Sequence, residues 1–422
     1  MCEPLSFKGR QGSGASPERR IYADESLAPA GGSWRKYLYT YRIWGRHLYD
    51  PDCSPESCRR YLRTEFGPAA KPVEISLGQA SRILPLITSA HLPSASAMTY
   101  WPEMYTNMPI ADKSLPHPYG DTPAPKVFGR VSPLDPAMFS AIHEFVDEWI
   151  RQSPGGRYSP VEVAQWLESS ARRSAEHLAE ARALVRDGKA PAFRRVEIDI
   201  AVQNGLGIFF ANKLRAGVAY TFYERKGETA DLKQAVYFYR LAREAWNGIV
   251  QRTRGVYVRD LGFGSLPHRR GHWEDRLPAI DKDLAYMERL LKEKSGESVA
   301  GSAATAAPAW LEQRPVRPEC EHRPPTAFDT RRPLEVSLTS TSQRIGTVRL
   351  HYRHVKQAEA YQMAEMRQEE QSWRYIIPAG FTDSAYPLLY YFELRDGAGH
   401  AWLYPGFEPD LANQPYFVVR RG

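Results

Sequence analysis

From Trp34 to about Lys294 the apolar residues recur every three or four positions, and from Leu334 onward they recur at every second position. One structural layer cannot satisfy both patterns, because the first buries a stripe of a helix and the second buries one face of a strand. Between them, at residues 295–333, the periodicity lapses into small residues and proline (EKSGESVAGSAATAAPAW, then EQRPVRPECEHRPP), as at a domain boundary. The expected fold class is therefore multidomain α + β: a mainly α-helical bundle domain followed by an all-β immunoglobulin- or fibronectin-like sandwich. The expected segments are loop-rich residues 1–33, a helical domain over 34–294 containing an aromatic loop at 91–136, a linker over 295–333 and a sandwich over 334–422.

Within the helical part, WRKYLYTYRIWGRHLY predicts a helix from Trp34 to Tyr49, with Tyr37, Tyr41, Trp44 and Leu48 on one broad aromatic face. Ser54 before Pro55 and Glu56 predicts a capped helix that ends near Phe66, at Gly67-Pro68. A further helix is expected over about Pro72–Ala90, kinked at Pro85. Ser159-Pro160-Val161-Glu162 is a capping box with proline at the first helical position, and Gly188 stops the helix it starts. The run GLGIFF at 205–210 is apolar all round, which places a helix of about Ala192–Arg225 in the middle of a bundle. Gly227 separates it from an antiparallel neighbour carrying Leu232, Ala235, Tyr239, Ala242, Trp246 and Ile249. No second copy at fixed period accompanies this pair, which argues against a repeat array.

In the C-terminal part, Leu334/Val336/Leu338, Val348/Leu350/Tyr352 and Leu388/Tyr390/Phe392/Leu394 alternate. Asp396-Gly397-Ala398-Gly399 predicts a hairpin into HAWLYP, and PYFVVR supplies a last strand. Six or seven strands suit a sandwich. Trp373, Tyr375, Tyr390, Tyr391, Trp402 and Tyr404 are candidates for a binding face, although alternation sends about half of them to the core.

The net charge is +7, but acids interleave with the cations, as in EHLAEARALVRDG, and no nucleic-acid motif accompanies the charge, so nucleic acid is not an expected partner. No run approaches the roughly 18 apolar residues of a membrane span, and no membrane partner is expected. The opening MCEPLSFKGRQGSG lacks the plan of a signal peptide. The expectation is a cytoplasmic chain, or a periplasmic or secreted one if Met1 lies inside a longer protein. Cys2, Cys53, Cys58 and Cys320 show no zinc spacing, and neither metal nor cofactor is expected. GxSxG and a P-loop are both missing.

The candidate chemistry centres on HLPSASAMTYWPEMYTNMPI, residues 91–110, where Pro93, Pro102 and Pro109 exclude a long helix or a central strand. Tyr100, Trp101 and Tyr105 beside Glu103 provide rings for the C–H face of a sugar and an acid for its hydroxyls. The alternative is that these rings plug the bundle. Lys8 and Arg10 form a glycine-punctuated basic loop suited to a carboxylate or sulfate. HRRGHWEDRLPAID, from His268, offers His272 as a ligand contact, although an Arg/Asp hydrogen-bond network fixing a loop is the expectation there. A lyase reading would use Tyr105, His91 and Arg10. Ordinary glycoside hydrolysis needs two carboxylates, and no spacing selects Asp112 or Asp121 as partner to Glu103.

TYRIWGRHLYDPD, at 40–52, resembles a WGR-x-x-Y-[ND]-P stretch of large bacterial carbohydrate-active proteins. In these a helical region follows a (β/α)-barrel of the hexosaminidase or α-glucuronidase type. ASRILPLIT, NKLRAGVAYTFYERKG, LHYRHV, PLLYYFELRD and NQPYFVV fit the same resemblance. It implies the C-terminal, substrate-shaping part of a glycoside hydrolase-like protein that contacts an acidic or neutral glycan. An upstream barrel, on this or a separate chain, would supply the catalytic acids, since no βα alternation precedes Trp34. The alternative is a non-catalytic carbohydrate-binding or protein-interaction module.

Overall fold

The computed structural model describes residues 21–94, 102–262, 267–295, 308–312 and 314–422. In it the two periods belong to two compact units: residues 1–143 with 159–307, and residues 144–158 with 308–422.

The first unit is helical. Its early helices are α1 (Leu38–Tyr49), α2 (Glu56–Phe66), α3 (Ala70–Ala80) and α4 (Ile83–Ala90). The segment before α1 is a 3₁₀ turn, Ser33–Tyr37, so the regular helix starts later than its apolar spacing suggested. The expected kink at Pro85 is instead a break at Ser81-Arg82 that separates α3 from α4. Pro85 then falls in the first turn of α4, where its missing N–H has no intrahelical acceptor to lose. After α5 (Ile142–Ile150), most of which belongs to the second unit, come the bundle helices α6 (Pro160–Leu184), α7 (Pro191–Lys226), α8 (Thr229–Thr253) and α9 (Leu277–Ser295).

The capping box of α6 forms as its sequence predicts. The Glu162 N–H donates to Ser159 Oγ at 3.1 Å, and the Ser159 N–H donates to Glu162 Oε2 at 2.8 Å. Gly227 ends α7 in the left-handed region at φ 75°, where glycine has no steric penalty. Leu206, Phe209, Phe210, Val218 and Phe222 of α7 are all buried, with α6 and α8 packed against it. Gly205 permits close approach of α8: a Cβ there would lie 2.5 Å from Ile249 Cγ1. A short antiparallel ladder, β1 (Leu261–Gly262) with β2 (Arg270–Gly271), leads into α9. No helix among the described residues is long and apolar enough to cross a membrane.

The second unit is built on nine described strands. They are β3 (Ala327–Phe328), β4 (Leu334–Thr339), β5 (Ile345–His354), β6 (Gln362–Glu365), β7 (Arg367–Glu369), β8 (Ser372–Ile377), β9 (Leu388–Asp396), β10 (Ala401–Tyr404) and β11 (Phe417–Arg421). One sheet runs β3-β11-β9-β5-β6, with β10 also on β9; the other runs β4-β8-β7. Val336, Leu338, Trp373 and Ile377 of the small sheet share one core with Val348, Leu350, Leu388, Tyr390, Phe392 and Leu394 of the large sheet. This is a sandwich, and the alternation that predicted its strands is the alternation of its inner faces. Asp396 organises the predicted hairpin by accepting from the N–H groups of Ala398 at 3.0 Å and His400 at 2.8 Å.

The expected start of this unit at residue 334 falls inside it. Phe328 lies in its core, and β3 pairs with β11. Arg314 donates to the carbonyls of Gly156 at 2.9 Å and Ala401 at 2.6 Å through Nη1, and to that of Arg157 at 2.7 Å through Nη2. One guanidinium thereby ties residues 156–157 into the sandwich. Sequence periodicity could not show this, because the tie is made by a loop side chain to backbone carbonyls.

Candidate functional site

The site begins with proline. Pro102 opens a single 3₁₀ turn, Pro102–Met104, and the chain from there to Asp112 has no helix or sheet to satisfy its backbone. Buried peptide groups must still find partners, and here they find them on distant elements. Asp283 of α9, fully buried, accepts from the N–H groups of Ile110 at 2.7 Å, Ala111 at 3.1 Å and Asp112 at 2.8 Å. Thr106 Oγ1 donates to the carbonyl of His268 at 3.2 Å, and its N–H donates to the Tyr119 hydroxyl at 3.1 Å. Trp273 Nε1 donates to the carbonyl of Glu103 at 2.7 Å, and Trp246 Nε1 donates to that of Trp273 at 2.8 Å. A loop that proline keeps out of regular structure is thus held rigidly by side chains.

Below the loop lies Lys213 of α7, with no solvent exposure. Its Nζ donates to Asn107 Oδ1 and to the carbonyl of Met108 at 2.9 Å, and lies 3.5 Å from the Tyr239 hydroxyl. The rings of Phe128, Tyr239, Tyr105 and Phe209 surround the ammonium at 5.0–5.7 Å from their centroids. Burial depresses its pKa to about 7, and attraction to Asp283 opposes that only in part. The sequence held a signal for this residue: Lys213 lies three and four positions after Phe210 and Phe209, on the buried face of α7. A lysine at that position must meet acceptors inside the protein.

The expected site residues divide sharply. Lys8, Arg10, Tyr100 and Trp101 lie outside the described residues. Tyr105 is a correction: its ring is fully buried, stacked on Tyr119 at 5.8 Å and against Phe209 and Phe210. It plugs the bundle and offers no face to a sugar. His272 is also a correction as a ligand contact. It is 1% exposed, and its Nδ1 accepts the Glu274 N–H at 3.2 Å, capping the short turn Trp273–Arg276. The Arg/Asp network expected around it is present: Arg254 and Arg259 both pair with Glu274, and Arg270 pairs with Asp260. His91, offered for a lyase, is buried against Phe128, and burial lowers its pKa to about 3. Neutral and enclosed, it cannot reach a substrate. In the sandwich, Trp373, Tyr390, Tyr391 and Trp402 are all buried, which leaves Tyr375 and Tyr404 only partly exposed from the candidate binding face.

Glu103 keeps its candidacy. Its Oε2 is shut off from solvent and has no hydrogen-bond partner, and burial raises its pKa. A carboxyl in that setting favours its protonated form and can donate. In the segment laced to this loop, Arg269 is 3% exposed with its Nε unpartnered, and burial lowers its pKa. Arg276 donates to the carbonyls of His268 at 3.0 Å and Arg270 at 2.9 Å, again leaving Nε without an acceptor. Orphaned polar atoms of this kind are uncommon in folded interiors and tend to mark function. Among the described residues, no group of three or more His, Cys, Asp or Glu side chains is placed to hold a metal ion.

No family model matches the chain. A search of curated proteins returns no match. Among solved structures, it is similar to a GH138 enzyme targeting pectin rhamnogalacturonan II, at a TM-score of 0.48 and 14% identity. The alignment covers 60% of this chain and 38% of that enzyme, so the chain spans well under half of its length.

Proposed function

We propose that this chain is the C-terminal, substrate-shaping part of a glycoside hydrolase-like protein and that it contacts a glycan at the Pro102–Asp112 loop. The observation that carries the reading is the Glu103 carboxyl, held on a braced loop with one oxygen unsatisfied and its pKa raised. As a neutral acid it donates to a sugar oxygen. Trp101 and Tyr100 stack on the ring, and Lys8 and Arg10 meet a uronic or sulfated group. The helical domain of 34–294 presents this surface, and a sandwich of the immunoglobulin or fibronectin kind follows it in the chain.

A second reading, a carbohydrate-binding module without turnover, is favoured by the surroundings of Glu103. No other carboxylate among the described residues contributes to its electrostatics, whereas ordinary hydrolysis requires a pair. In the first reading the remaining acid comes from a barrel on the same or another chain.

The test is the pH profile of glycan binding. A neutral Glu103 donates below its raised pKa and stops donating above it, so wild-type affinity should fall as pH rises through that value. Glu103→Gln keeps an N–H donor at every pH and should bind with a flat profile, and Glu103→Ala should bind about tenfold more weakly, the worth of one buried hydrogen bond. Identical profiles for wild type and Glu103→Gln, with full affinity in Glu103→Ala, would remove Glu103 from the site. Release of reducing ends separates enzyme from module.

A further inference from the structure

Around β1 and β2 the carboxylates are shared out unevenly among the arginines. Arg254 donates to Glu274 Oε1 at 2.8 Å, Arg259 pairs with Glu274 Oε2 and with Asp275 Oδ1 at 3.2 Å, and Arg270 pairs with Asp260. The remaining oxygen of Asp275 accepts the His272 N–H at 2.7 Å. Every oxygen of Glu274 and Asp275 is therefore committed. Arg254 and Arg259 are mostly exposed, and an ion pair adds little there. Arg269 is 3% exposed, yet it pairs with no carboxylate among the described residues, and no charged group among them offsets its burial. A cation taken out of water is the one that most needs a partner.

Arg269 is also held in place. Nη2 of Arg276 donates to the carbonyls of His268 at 3.0 Å and Arg270 at 2.9 Å, clasping the backbone on either side of it. The same His268 carbonyl accepts from Thr106 Oγ1 at 3.2 Å, which fastens this stretch to the loop that carries Glu103. The Arg269 Nε is enclosed and unpartnered, whereas its Nη atoms are not enclosed, so the guanidinium meets the surface with the outer edge of its fork. That edge presents two parallel N–H groups, a pattern that fits the two coplanar oxygens of a carboxylate.

We propose that Arg269 is the carboxylate-recognition residue of the glycan site, selecting a uronic acid over a neutral sugar, with Arg276 as its positioning residue. The ligand's carboxylate supplies the counter-charge that the protein withholds. The inference rests on the glycan reading for the class of molecule, while the charge and shape of the group it takes follow from Arg269 itself. A residue that merely filled space here would not need a planar cation, since methionine offers a similar stem with no charge to desolvate.

The experiment is affinity electrophoresis of the whole chain through gels containing alginate, polygalacturonate or hyaluronan, each beside its methyl ester, with dextran sulfate in a further gel. The esters keep the sugar and remove only the charge. Wild type should be retarded by at least one of the three uronates and lose about tenfold or more in affinity on esterification, the worth of a hydrogen bond to a charged group. Arg269→Met should lose most of that preference for uronate over ester, with a thermal midpoint no lower than wild type, because an unpaired cation has been removed. Arg269→Lys keeps the charge without the fork and should recover only part of the affinity. Arg254→Gln, at an exposed arginine already paired with Glu274, controls for lost net charge and should be retarded like wild type. A lowered midpoint in Arg269→Met, with equal losses on uronate and ester, would show a structural arginine and overturn the proposal. Equal retardation of wild type by uronate and ester, or full uronate affinity in Arg269→Met, would overturn it while leaving the glycan site standing. Retardation by dextran sulfate alone would overturn the carboxylate, and no retardation by any gel would overturn the proposal together with the glycan reading.

Discussion

Replacing Lys213 with methionine tests how the central loop is held. The lysine is fully buried, and its pKa falls from the ordinary 10.5 to about 7 because burial disfavours the ammonium. At about 1.36 kcal/mol per pH unit, that gap corresponds to about 5 kcal/mol of stability withheld while the group is charged in both states. The unfolded lysine keeps its proton up to about 10.5 and the folded one releases it near 7. Between those values the unfolded state binds more protons, and stability rises with pH. From pH 6 to pH 9.5 this one group should contribute a gain of roughly 3 kcal/mol. Lys213→Met keeps most of the volume and removes the titration, leaving the Met108 carbonyl without the lysine donor and Asn107 Oδ1 with the Tyr239 hydroxyl, 3.3 Å away, at every pH. Urea unfolding followed at 222 nm, where the helical unit dominates, should give wild-type and variant curves that diverge steadily as pH rises. Parallel curves over that range would refute the argument, showing that the ammonium is solvated or paired well enough to keep its usual basicity.

In the sandwich, Glu393 shows the opposite sign. Burial alone would raise its pKa, but hydrogen bonds and charge from His351 at 3.1 Å and Arg395 at 2.7 Å hold it down to about 2. Its stabilisation, about 3 kcal/mol, is present above pH 4.5 and lost as pH falls toward 2. Glu393→Gln should lower stability at pH 7 and flatten the acid limb, checked by thermal unfolding from pH 2 to pH 7. In the bundle, Gly205→Ala places a methyl 2.5 Å from Ile249 Cγ1. Helix propensity alone would predict stabilisation, whereas the crowding of α8 should destabilise by about 1–3 kcal/mol, measurable by chemical denaturation and relieved by Ile249→Ala.

What could be read from the chain was local and periodic. The Ser159 capping box, the Gly227 stop, the all-apolar middle of α7 and the Asp396–Gly399 hairpin are each specified by residues within a few positions of one another, so their physics is written in the sequence. The candidate site was legible only in outline. Three prolines announced an irregular aromatic loop, but Tyr105 could equally have faced solvent or core. Its burial was decided by Phe209, Phe210 and Tyr119, none of them near it in sequence. The same holds for Lys213 and Asp283, whose partners lie 106 and 173 positions away at Asn107 and Ile110.

By itself, then, the sequence determined which segments are helix and which are strand, because that choice depends on spacing along one element. Only the tertiary structure decided which aromatic rings are buried and which remain in water. It left Trp44 and Leu48 of α1 exposed, buried Tyr105, and drew residues 144–158 into the sandwich through Arg314. Those outcomes depend on which surfaces find complementary partners across long stretches of chain, and an amphipathic pattern records that a face is apolar without recording what, if anything, covers it.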